Sequence, residues 1–117
     1  DNLISKAKSS FDNKLYSDAA NLYVQAFDKD PLRYSIAMNA AFSYYNLNDY
    51  VSSLKYFSLA SQSKNPEVVE KGMRYKALSL IGLGDNNAAC AQYIQILNKF
   101  PKRMYQQEFN KYCRRNN

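Results

Sequence analysis

The chain has 117 residues, 46% of them hydrophobic, and a net charge of +6, which fits one globular domain and is too apolar for a disordered segment. Glycine and proline number only three each, too few for a turn-rich β-sandwich and suited to helices. Histidine is absent, so Ser-His and Cys-His catalysis and histidine-bearing metal sites are excluded.

Apolar and small residues recur at steps of three and four, the spacing of a helical face and not of an alternating strand. Leu3, Ala7 and Ser10 predict a first helix over about 2–13, and Tyr16, Ala19, Tyr23 and Ala26 a second over about 16–28, followed by Pro31. Ala37, Ala41 and Tyr44 predict a third over about 32–47. Asp49 is a candidate N-cap for a fourth over about 50–62, which carries Tyr50, Ser53, Phe57 and Ala60. Asn65-Pro66-Glu67 reads as cap, first-turn proline and first-turn acid of a fifth over about 66–83, with Met73, Ala77 and Leu80 on one face. Asp85 opens a sixth over about 86–99, bearing Ala89, Tyr93 and Ile96 ahead of Pro101. A seventh, over about 102–113, sets Tyr105, Phe109, Tyr112 and Cys113 on one stripe. No apolar run approaches the roughly 18 residues that cross a bilayer.

These helices form three copies of one unit. The three prolines, Pro31, Pro66 and Pro101, stand 35 residues apart each time. Matching small residues are offset by 34 from Ala19 to Ser53 and by 36 from Ser53 to Ala89. The two-residue surplus fits a loop or helix extension near Ser61–Pro66. A period near 34, a small residue at the helix crossing, an aromatic four later, another small residue three later and a closing proline resemble the tetratricopeptide repeat. Gly84-Asp85 fits the inter-helix turn of that family. Lys14 and Asn48 stand where a turn glycine is common, and Leu3, Ala37 and Met73 where tryptophan is common. The resemblance implies an all-α, right-handed α-solenoid in a single domain. Its repeats would span about 1–31, 32–65 and 66–101, with a solvating helix over about 102–113.

The physics of such an array agrees. A lone helical hairpin cannot bury its apolar face, so neighbours must stack. Ala7, Ala19, Ala26, Ala41, Ser53, Ala60, Ala77 and Ala89 would let helix axes approach. Tyr16, Tyr23, Tyr50, Phe57 and Tyr93 would fill the space between them.

The first helix of each pair lines the concave side of a stacked array. A second stripe remains there, at i, i+4, i+7 in every copy: Ile4, Lys8 and Phe11; Met38, Phe42 and Tyr45; Arg74, Leu78 and Ile81. Large apolar side chains left exposed mark a contact surface. The expected occupant is an extended peptide or amphipathic helix of a protein partner. Flanking sequence or a symmetry mate in a homo-oligomer is the alternative cover. Some domains of the family clamp a C-terminal carboxylate with two lysines, two asparagines and an arginine. Asn39 and Lys71 fall on matching positions, whereas Ile4, Lys8 and Tyr75 replace the rest. Contact of Lys71 or Arg74 with an acidic ligand is the residual expectation.

Residues 99–117 concentrate Lys99, Lys102, Arg103, Lys111, Arg114 and Arg115 against Glu108 alone. Such an end suits the negative pole of a helix dipole, or else nucleic acid or an anionic surface. Cys90 and Cys113 lie equally far from the turn at Pro101-Lys102, at one height on facing helices. They read as a disulfide or as two buried thiols, and a bridge would imply an oxidising compartment. Gly82-Leu83-Gly84 lacks the third glycine and the lysine of a phosphate loop. Asp12, Asp18, Asp28 and Asp30 fit solvated helix ends. No catalytic residue, metal or cofactor is expected. The chain opens at Asp1 without a leader, as in a processed chain or an excised segment. The third copy, GDNNAACAQYIQILNKFP, resembles repeats of bacterial cell-envelope proteins such as the Tol-Pal-associated periplasmic protein and outer-membrane assembly lipoproteins. That likeness places the periplasm or envelope ahead of a cytoplasmic scaffold.

Overall fold

The computed structural model describes residues 2–114. The helices are α1 (Asn2–Asp12), α2 (Tyr16–Lys29), α3 (Tyr34–Asn46), α4 (Tyr50–Ala60), α5 (Pro66–Gly82), α6 (Asn86–Lys99) and α7 (Arg103–Cys113). Each packs on its sequence neighbours, and α3 also meets α5. The result is an elongated α-solenoid of helical hairpins, 51 × 27 × 19 Å, with no strand among the described residues.

The turns inside the three hairpins share one geometry. Lys14, Asn48 and Gly84 take positive φ values of 62°, 60° and 80°. The next amide reaches back over the last helical turn: Leu15 N–H donates to Ser10 O at 2.8 Å, Asp49 to Tyr44 at 3.0 Å and Asp85 to Leu80 at 3.0 Å. A left-handed residue lets the chain satisfy those end carbonyls before it reverses. Glycine does this freely and asparagine tolerably, whereas the Cβ of Lys14 opposes it. Asp49 and Asp85 then cap α4 and α6, accepting from Ser52 N–H and Ala88 N–H at 3.1 Å each. The connections between hairpins are longer than expected. Arg33 N–H bonds Asp30 O at 3.1 Å, so Pro31 and Leu32 belong to a turn and α3 starts at Tyr34. Gln62 N–H to Leu59 O and Ser63 N–H to Ala60 O similarly end α4 at Ala60.

Close approach of the helices rests on small residues. Ala7, Ala19, Ala26, Ala41, Ser53, Ala60, Ala77 and Ala89 are all buried. Ser53 and Ser79 satisfy each other there, Oγ to Oγ at 2.8 Å. At Gly72 a Cβ would stand 3.2 Å from Phe57 O and Ser61 N and nearer still to Ser61 Oγ, so α5 crosses α4 where only glycine fits without movement.

Rings fill the remainder. Phe57 of α4 is fully buried. It lies 5.5 Å from Tyr75 of α5 in a stack and 5.0 Å from Phe42 of α3 edge-on. Phe42 meets Tyr75 at 4.7 Å, and Tyr45 meets Tyr75 at 5.6 Å. Three helices thus converge on one aromatic cluster, which joins the second hairpin to the third.

The turn geometry makes a direct prediction. Lys14→Gly should stabilise the fold by about 1 kcal/mol, because it removes a left-handed Cβ conflict. Urea unfolding measures this; an unchanged or lowered midpoint would contradict the turn described.

Candidate functional site

Because α5 lies beside α3, a cleft of about 180 Å3 opens between them. Ser35, Met38, Asn39 and Phe42 line it from α3, and Glu67, Val68 and Lys71 from α5. Met38, Phe42 and Val68 supply apolar surface. Asn39, Glu67 and Lys71 are exposed at its rim. Lys71 forms no ion pair among the described residues. Four of the residues singled out from the sequence, Met38, Asn39, Phe42 and Lys71, are therefore brought together.

The expected free apolar stripe needs correction. Met38 is buried, and Phe42 and Tyr45 are half-buried beneath Tyr75 and Phe57. The i, i+4, i+7 spacing is real, but its outer residues serve contact between repeats as well as the cleft. The sequence reading of Tyr75 as the replacement of an arginine misses its place as the cover of this stripe. The 36-residue offset was the available signal: it puts Tyr75 at the position of Asn39, on the inner side of α5.

The other copies stand apart from this cleft. Ile4 packs against the first core cluster. Phe11 is half-buried, edge-on to Tyr16 at 5.2 Å. Lys8 is exposed and pairs with Asp12 one turn on, at 3.1 Å. Leu78 and Ile81 are half-buried.

Arg74 is likewise no free cation. Its Nε donates to Glu108 at 3.1 and 3.3 Å, and its Nη2 also donates to the same carboxylate. The guanidinium lies 5.4 Å from the Tyr75 ring centre. The hydrogen bond to Glu108 raises the Arg74 pKa further, so this residue ties α5 to α7 as a fixed charge pair. Asn39 and Lys71, the two residues that match the family's carboxylate clamp in the sequence, both border the cleft.

The same end of the molecule engages only part of its basic charge. Lys102 Nζ donates to Glu70 at 2.8 Å, and Tyr105 OH donates to it as well. The Lys102 hydrogen bond, then that of Tyr105, holds the Glu70 carboxyl below its usual range. Lys111 lies 5.1 Å from the Tyr112 ring centre. Lys99, Arg103 and Arg114 are exposed, and Arg115 lies outside the described residues. Cys90 and Cys113 are joined by a disulfide with Cα atoms 5.6 Å apart, fastening the last residue of α7 to α6. Among the described residues no cluster of acid, cysteine or histidine side chains could hold a metal ion, and no helix is long and apolar enough to cross a membrane.

Tyr93 donates to Glu108 at 3.0 Å. Burial foremost, then the neighbouring carboxylate, pushes the hydroxyls of Tyr93 and Tyr105 far above the ordinary tyrosine range. A raised folded-state pKa stabilises the fold fully below the unfolded value, near 10, and loses that contribution as pH climbs toward the folded value. Stability should therefore decline above about pH 10, and less steeply in Tyr93→Phe than in wild type. Glu70 has the opposite sign: its contribution is present above about pH 4.3 and is lost as pH falls through its depressed value. Urea midpoints measured across the range test both arms; identical alkaline slopes for wild type and Tyr93→Phe would contradict the assignment.

No protein-family model and no curated protein matches the chain. Solved structures do. The N-terminal domain of stress-induced protein-1 (STI-1) from C. elegans aligns at a TM-score of 0.86 and 14% identity, over 96% of this chain and 92% of that one. The first TPR domain of human RPAP3 aligns at 0.77 and 21% identity, over 94% and 86%. The first TPR of Spaghetti (RPAP3) bound to the HSP90 peptide SRMEEVD gives the same values. The fold is thus one shared with tetratricopeptide repeat domains.

Proposed function

We propose that this chain is a tetratricopeptide repeat protein that holds a segment of a partner protein in the cleft between α3 and α5, without catalysis. In this reading the repeats span about 1–31, 32–65 and 66–101, closed by the helix over about 102–113. The observation that carries it is the cleft itself: an apolar floor from Met38, Phe42 and Val68 under a polar rim of Asn39, Glu67 and Lys71. Apolar contact supplies affinity and the rim fixes orientation. One neighbour of the same fold holds an HSP90 peptide, which supports a peptide as the ligand class.

Truncating Phe42 and Tyr45 together is a poor probe, because both rings pack on Phe57 and Tyr75 and their loss would damage the fold. The exposed rim is the better target. Peptides selected on the wild-type protein from a random dodecapeptide library should bind Asn39→Ala/Lys71→Ala about tenfold more weakly, with helicity unchanged. Equal affinity for both proteins would remove the cleft as the site.

The Cys90–Cys113 bridge favours a second, narrower reading: a protein working in an oxidising compartment. The proposed kinship with bacterial cell-envelope repeat domains rests on the sequence of the third copy and requires such a compartment. Thiol titration of denatured, unreduced protein from its native compartment decides it. Two free thiols would overturn it.

A further inference from the structure

The cleft between α3 and α5 does not end at the rim just described. A second cavity, of about 560 Å3, opens where the α2–α3 and α4–α5 connections meet. Ser35 and Val68 belong to the walls of both cavities, so the two adjoin. The second is lined by Leu32, Arg33, Tyr34, Gln62, Ser63, Lys64 and Asn65 besides the shared pair. Two of these are cations and none is a carboxylate. Arg33 and Lys64 form neither an ion pair nor a hydrogen bond from their side chains among the described residues. Among the described residues only Arg74, Lys102 and Lys8 have a carboxylate partner, so what marks Arg33 and Lys64 is their shared place on one cavity wall that carries no carboxylate. The first turns of α3 and α5 border the cavity, and their dipoles add potential of the same sign. The walls of the two cavities together carry three cations, Arg33, Lys64 and Lys71, and one carboxylate, Glu67.

Resting on the reading of the α3–α5 cleft as a peptide site, we propose that the edge cavity is a separate subsite for acidic side chains. The bound segment runs extended past Ser35 and Val68. It places an apolar side chain over Met38 and Phe42 and a glutamate or aspartate between Arg33 and Lys64. Arginine pairs with a carboxylate through two parallel hydrogen bonds, and lysine adds a point charge. Leu32, almost fully exposed at 78%, flanks the cations and offers the ligand backbone an apolar shoulder. This subsite lies on the connections between hairpins, so it selects the sequence next to the anchor and not the anchor itself.

The test uses a random dodecapeptide library selected in parallel on wild type and on Arg33→Ala/Lys64→Ala, whose substituted side chains are exposed. Wild type should enrich Asp or Glu at a fixed offset from an apolar residue; the double variant should keep the apolar residue and lose the acid. A synthetic wild-type-selected peptide should bind wild type about tenfold better than its Glu→Gln analogue, and the two should bind the variant equally. Acid enrichment that is absent from wild type, or that persists in the variant, overturns the subsite and leaves the cleft reading standing. No enriched peptide at all overturns both. A fluorescein-labelled oligo-uridine that binds wild type and not the variant, without any acid preference among peptides, would reassign the cations to nucleic acid.

Discussion

Two rings of α3, Phe42 and Tyr45, each meet Phe57 of α4 and Tyr75 of α5, which also meet each other, at 4.7 to 6.2 Å, and the rest of the molecule depends on that meeting. In a quasi-linear stack each hairpin touches only its neighbours, so the contact between the second and third hairpins decides whether the array is one cooperative body. Edge-to-face and offset ring pairs add directional preference to burial. They therefore fix the rotation of α5 on α3, which apolar contact alone leaves loose. Gly72 and the serine pair Ser53–Ser79 let the backbones come near enough for the rings to meet. The α3–α5 cleft follows directly, since Phe42 is at once a member of the cluster and part of the cleft wall. A ligand would meet a surface already ordered by the core, which lowers the entropic cost of binding.

The far end of the stack is closed by an apolar cluster of Ala77, Tyr93, Ile96 and Tyr105, with charge and sulfur chemistry at its margin. α7 lays Glu108 between Arg74 and the Tyr93 hydroxyl, and brings Lys102 and Tyr105 to Glu70. The disulfide then anchors its last turn to α6. A terminal helix must present one face to the stack and another to water, and paired charges at the margin suit that position. Arg74 and Lys102 consequently serve the architecture, while Lys71, Arg33 and Lys64 form no ion pair among the described residues.

Much of this was legible in the sequence, because it is periodic. The three prolines, the small residues at offsets of 34 and 36 and the aspartate caps each express a local rule, and α1 to α7 fall within two residues of the expected ends. The equal height of Cys90 and Cys113 could be read from the turn between them, while the closeness of α6 and α7 needed the crossing itself. The less legible features cross repeats. The 36-residue offset puts Tyr75 on the inner side of α5, but its cover of the α3 stripe also needs the close crossing of α5 on α4 at Gly72, which periodicity does not announce. Arg74 and Glu108 are 34 residues apart, one repeat period, yet their pairing depends on side-chain direction and not on periodicity. The edge cavity arises because α3 starts late and α4 ends early, and helix boundaries are the least determined feature of a periodic pattern.

The central claim, that α3 and α5 are locked by their rings, is tested most directly by a double-mutant cycle in urea with Phe42→Leu, Tyr75→Leu and the pair. The structure predicts a coupling of about 1 kcal/mol between the two sites, as expected for aromatic side chains in edge-on contact. Additive losses, with no coupling beyond error, would mean that the rings do not meet and that the inner wall described here is not the one the protein forms.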